Sequence, residues 1–172
     1  MKGVVLYKSR YGHSSLYAKW IAEELDFELK ELSSFKKKEI NEYQTIIFGS
    51  GVYMNRLNAI KYVLKMFQTK PIIIFACAGN DNVQSEIDHI VQSNFSKQEI
   101  TFHTFFYLPG GVDFTKVKGF HKIAVNAFLK LMRYKKNKTH EEQAIVDSFS
   151  NSTYLVDRRH ITNLIAYVKS II

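Results

Sequence analysis

Ser9, Gly12, Ser14 and Ser15 lie close together in Ser9-Arg10-Tyr11-Gly12-His13-Ser14-Ser15 and carry the first chemistry the chain offers. Serine hydroxyls donate to phosphate oxygens, and glycine lets a backbone approach closely or take a positive φ. The flanks show what this loop joins. Val4, Val5, Leu6 and Tyr7 form the short apolar run expected of a strand buried on both faces, and Leu16, Ile21, Ala22 and Leu25 recur at helical spacing. A loop from the carboxyl end of a buried strand into a helix gathers unpaired amides and the positive end of the helix dipole, where anions bind. The three glycines of a dinucleotide turn and the Gly-Lys-Ser/Thr ending of a P-loop are both missing. On these residues alone, an anion loop and a turn that merely caps the helix both remain open.

The elements that must position this loop follow in order. Phe27, Leu29 and Leu32 mark a second strand, Tyr43 to Gly49 a third, Pro71 to Cys77 a fourth and Ile100 to Leu108 a fifth. Helical spacing returns at Ile60, Val63, Leu64 and Phe67, and again at Val83, Ile87, Ile90 and Val91. Asp157 is placed to cap a last helix carrying Ile161, Leu164, Ile165 and Val168. Strands alternating with helices predict an α/β fold, a doubly wound parallel sheet covered on both faces, within one domain spanning residues 1–172. In such a sheet ligands bind outside the carboxyl ends of the strands, at the switch point. Small or polar loops begin there at Ser9, Ser50 and Ala78.

Ser9-Arg10-Tyr11-Gly12-His13-Ser14 resembles the phosphate loop of flavodoxins, Ser/Thr-x-Thr-Gly-x-Thr. Ser9, Gly12 and Ser14 match it, and Tyr11 stands where the pattern has a small threonine. The resemblance implies a five-stranded sheet of order 2-1-3-4-5 and FMN as cofactor, its phosphate held by Ser9, Arg10, Tyr11, Gly12, His13, Ser14 and Ser15. Ser50, Gly51, Val52, Tyr53, Met54 and Asn55 fall where flavodoxins usually lay an aromatic ring on the isoalloxazine, which makes Tyr53 the expected ring. Capping its strand or packing under the next helix is the other role open to Tyr53. Ala78, Gly79 and Asn80 match the third flavin loop in position. Tyr107-Leu108-Pro109-Gly110-Gly111-Val112-Asp113-Phe114, followed by a long basic helix, resembles the branch that includes menaquinone-dependent protoporphyrinogen IX dehydrogenase. That branch implies an oxidoreductase in which the flavin does the chemistry, so no catalytic side chain carries over. A non-catalytic electron carrier acting through a protein partner, and a flavin-free scaffold with a basic docking helix, are the rival readings.

Charge narrows the partners. The chain has 172 residues and a formal net charge of +8. The stretch Lys116 to Lys138 holds Lys116, Lys118, Lys122, Lys130, Arg133, Lys135, Lys136 and Lys138 without an acidic residue, and the remaining basic residues balance the 16 acidic ones. Val117, Phe120, Ile123, Ala124, Ala127, Phe128 and Leu131 form an apolar stripe along the same stretch. A basic amphipathic helix suits an anionic membrane surface, an acidic partner, or simply the outside of the sheet. A redox partner or quinone is the partner expected. Nucleic acid is not, because no recognition motif accompanies the lysines. The six histidines show no zinc spacing. A single cysteine, Cys77, and the absence of a leader or a long apolar run predict a cytoplasmic protein, peripheral to a membrane at most. The sequence sets no oligomeric state.

Overall fold

The computed structural model describes residues 2–79, 84–112, 127, 130–132, 134–135 and 153–172. Asn80 and most of the basic stretch lie outside the described residues.

The sheet grows outward from β1 (Gly3–Lys8), whose Val4, Val5 and Leu6 are wholly buried. On one side β1 pairs with β2 (Glu28–Glu31) and on the other with β3 (Thr45–Tyr53). Beyond β3 come β5 (Ile73–Ala78) and β6 (Thr104–Pro109), and all four of these pairings are parallel. A two-residue strand, β4 (Arg56–Leu57), turns back antiparallel onto β3. With β4 set aside, the order β2-β1-β3-β5-β6 is the 2-1-3-4-5 arrangement expected. The chain order therefore reverses between β1 and β3, which puts the switch point at the loops that follow them.

Both faces are covered, as a parallel sheet requires. On one face Val5, Ile47 and Phe75 meet Tyr17, Ala18 and Ile21 of α1 (His13–Leu25) and Leu164 and Val168 of α5 (Thr162–Ile171). Val4, Leu6, Phe48 and Ile74 on the other face pack with Ile60 and Val63 of α2 (Ile60–Met66) and Ile90 of α3 (Gln84–Asn94). A short α4 (Lys97–Phe102) leads into β6, its start closed by a reciprocal Ser96–Glu99 capping box. Asp157 does cap ahead of the last helix, but the turn it caps is a 3-10 turn over Arg158–Ile161 that runs on into α5.

Two contacts fix the layers. Gly49 lies directly under the Phe75 ring, where an added Cβ would come within 1.8 Å of the aromatic carbons. Only glycine leaves room for that ring in the core. The buried hydroxyl of Tyr17 donates to the carbonyl of Pro109, accepts from Asp157 N–H at 3.3 Å and lies 2.8 Å from His160 Nδ1. It thus joins α1 to the end of β6 and to the turn before α5.

Contacts divide the chain into two compact units, Met1–Gly110 with Leu155–Ile172, and Gly111–Tyr154. The first unit contains the whole parallel sheet. Within it Leu155 N–H donates to the Gly110 carbonyl at 2.7 Å, so the chain leaves and rejoins this unit at adjacent residues. In the second, β7 (Gly111–Val112) pairs antiparallel with β8 (Thr153–Tyr154). Leu131 of the anticipated apolar stripe is helical and 71% exposed, as is Tyr134 at 78%. At Leu131, then, the stripe faces outward.

Gly49→Ala should lower the unfolding free energy by about 3 kcal/mol in urea titrations, since the extra methyl must displace a packed ring. Tyr17→Phe should cost about 1 to 3 kcal/mol by leaving the Pro109 carbonyl buried without its donor.

Candidate functional site

α1 begins without a side-chain cap. Its N-cap residue is Gly12, at φ +95°, a backbone conformation that side-chain-bearing residues rarely adopt. A Cβ at Gly12 would meet nothing within 4 Å, so the reason for glycine there is the torsion and not crowding. Serines hold the turn closed: Ser9 Oγ accepts from Gly12 N–H at 3.1 Å, and Ser15 Oγ donates to the Gly12 carbonyl at 2.8 Å. Because Ser9 only accepts here, its own proton remains available to an anion. The amides of the first helical turn have no acceptors within the helix and point out of its end.

Electrostatics favour negative charge at this spot. The first acidic residue in the chain is Glu23, near the far end of α1. Lys8 is neutralised by Glu31 at 3.3 Å, whereas Arg10 is exposed and its guanidinium lies 5.3 Å from the Tyr53 ring centroid. A phosphate would meet amides, one spare hydroxyl proton, a helix dipole and an arginine, and the first turn of α1 carries no acidic residue.

Beside this loop stands the turn that follows β3. Met54 (φ 50°) and Asn55 (φ 60°) are both left-handed, and Val52–Leu57 and Tyr53–Arg56 pair across them. That is the two-residue turn with positive φ at both central positions, whose twist matches a hairpin. Met54 projects at the tip, 97% exposed. The Tyr53 ring folds back over Gly51, whose Cβ would stand 3.1 Å from the tyrosine oxygen, and meets Tyr11 edge-on at 6.1 Å between centroids. Burial pushes the Tyr53 hydroxyl up to about 12, against the opposing pull of the Arg10 charge. At neutral pH Tyr53 is therefore an uncharged ring.

The structure brings Ser9 to Ser15 together with Tyr53, Met54 and Asn55 at the carboxyl end of β1 and β3. Three placements differ from the sequence reading. Ser50 to Tyr53 belong to β3 and are not a loop, because Lys8 on one side and Ala76 on the other pair with Ser50 and draw the strand onward. Ser50 is wholly buried on the α2 and α3 face, and its Oγ has no partner among the described residues. Ser14 is also buried, 3% exposed at the start of α1. Ala78 ends β5 and is buried, and Gly79 follows it in a bend. Tyr17 is the member of this region that the sequence reading missed. One turn after Ser14, it reads as an ordinary apolar position of an amphipathic helix.

An open parallel sheet with α1 starting at its switch point defines the doubly wound class of α/β proteins, whose ligands bind at that end. The family model described as "Flavodoxin domain" matches residues 4–140, and the chain belongs to that flavoprotein family. An uncharacterised protein of Methanocaldococcus jannaschii is 34% identical over 83 residues, which are 46% of this chain and 55% of the relative. The chain thus spans about half the length of the curated relative it matches. Among solved structures, oxidised flavodoxin 2 of Bacillus cereus is 17% identical and superimposes with a TM-score of 0.45, covering 63% of this chain and 86% of that one. Rubredoxin oxygen:oxidoreductase of Desulfovibrio gigas is 14% identical at a TM-score of 0.43, over 96% of this chain and 36% of that chain.

Cys77 gives a test of the site's floor. Burial pushes its thiol up to about 12. Only the thiolate reacts with alkylating agents, so at pH 8 the native protein should resist iodoacetamide and label at full rate once unfolded in urea. Prompt native labelling would mean that the region between α1 and β5 is open.

Proposed function

We propose that the protein is an FMN-dependent redox protein, and specifically an oxidoreductase of the quinone-linked protoporphyrinogen dehydrogenase type. The observation that carries the cofactor assignment is the start of α1 behind Gly12, an N-cap residue with positive φ and no capping side chain, with no acidic residue before Glu23 in the sequence. Its donors suit the phosphate of a flavin mononucleotide, and the Tyr11, Tyr53 and Met54 side chains beside it suit the flat ring system. When bound, the flavin supplies hydride and single-electron transfer.

The chain's own residues then do the rest. Ser9 and the first-turn amides hold the phosphate, and Arg10 balances its charge. Tyr53 and the Met54–Asn55 turn border the ring, and the segment after β5, from Gly79 on, is the candidate for its other side. The basic stretch Lys116 to Lys138 supports the finer reading. Its charge suits the carboxylates of a porphyrin or an anionic membrane surface where a quinone resides. It counts against a plain carrier of the acidic flavodoxin kind, which would dock basic partners. Among the described residues no helix is long and apolar enough to cross a membrane.

Titration with FMN, followed by flavin fluorescence, should show saturable quenching. Arg10→Glu, which replaces the exposed guanidinium beside the loop with a carboxylate, should weaken FMN binding at least tenfold, on the scale of a lost charged hydrogen bond, and riboflavin much less. Anaerobic turnover of protoporphyrinogen with a menaquinone analogue then tests the reaction. FMN binding without that turnover would leave the carrier reading, and no FMN binding would remove the redox reading altogether.

A further inference from the structure

The turn at Met54–Asn55 holds a non-glycine residue at φ 50° directly before another at φ 60°. Left-handed torsions at side-chain-bearing residues cost on the order of 1 kcal/mol each and persist only where the surroundings enforce them. The enforcing group lies far along the chain. Asn94, in the last turn of α3, donates from Nδ2 to the Asn55 carbonyl at 2.6 Å and accepts at Oδ1 from Leu57 N–H at 2.9 Å. The same Nδ2 donates to the Ile90 carbonyl one turn back in α3, at 2.7 Å, which locks the side chain onto its own helix. Arg56 Nη1 adds a bond to the Ser93 carbonyl at 3.2 Å.

We propose that Asn94 is a positioning residue for the flavin ring: it grips the returning arm of the Met54–Asn55 turn on either side of Arg56, at the Asn55 carbonyl and the Leu57 N–H, and so holds the turn against α3. The inference rests on the FMN reading above. Its geometry is specific to an amide. One side chain must donate to the Asn55 carbonyl and accept from the Leu57 N–H two residues on, and a carboxamide offers the two groups on separate atoms of one planar head. Asparagine has the shorter reach, and its backbone is fixed by α3. That helix ends at Asn94, so the clamp sits on its last turn.

The test uses the full chain and two ligands, FMN and riboflavin, which share the ring and differ in the phosphate. Asn94→Ala should weaken both by the same factor, about three- to tenfold for the loss of one or two net hydrogen bonds. The FMN-to-riboflavin affinity ratio should stay at its wild-type value, and the midpoint potential of bound FMN should shift. A merely structural role would lower the urea midpoint and leave the potential of the folded holoprotein where it was. Asn94→Asp at pH 8 matches the size of the native side chain and keeps the acceptor for Leu57 N–H while losing the donor to Asn55. It should reproduce the affinity loss if Asn94→Ala does not fold. Unchanged affinities and potential in either folded variant, or a loss confined to FMN, would overturn the proposal. A wild-type protein that binds neither flavin would instead overturn the FMN reading beneath it.

Discussion

The start of α1 is the constraint on which the site depends. A helix of 13 residues concentrates donor groups and dipole charge at its N-terminus, and its N-cap residue, Gly12, brings no capping side chain. Such an end favours an anion. What makes it a site is that everything nearby holds it fixed. Gly12 takes the torsion that turns the chain, Ser9 and Ser15 bond the turn to itself, and Ser14 is buried beneath it. Beneath them Tyr17 fastens the helix to β6 and to the turn before α5 through one buried hydroxyl. The helix end cannot drift without breaking that set.

The second half of the site is built differently. Tyr53 and Met54 ride on an extension of β3 that projects past the body of the sheet and returns as β4. Leu57 anchors that projection in the core, while its two left-handed residues work against it. Asn94 and the Ser93 carbonyl supply further restraint from α3. A rigid anion end and a braced, adjustable ring end suit a ligand with a charged tail and a flat, polarisable head.

Much of this architecture is legible in the sequence because it follows from local chemistry. Val4 to Tyr7 and Ile73 to Cys77 are apolar without alternation, which only a strand buried on both faces explains. The loop Ser9 to Ser15 stands out because glycine and hydroxyls sit where a strand must become a helix. The failures share a cause. Ser50-Gly51 reads as a loop on propensity, yet pairing from β1 and β5 on both sides makes it strand. Asn94 and Tyr17 act on residues 37 and more positions away, and no local pattern encodes such a distance.

The most direct measurement of the central claim is the ³¹P resonance of FMN bound to the wild-type protein, followed from pH 8 to pH 5.5. Free phosphate monoesters take up a proton near pH 6 and their resonance moves. Held by the amides of α1 and faced by Arg10, the phosphate should stay dianionic, and its resonance should hold still across that range. A bound phosphate that titrates as it does in free solution would lie in water, and the start of α1 would not be its site.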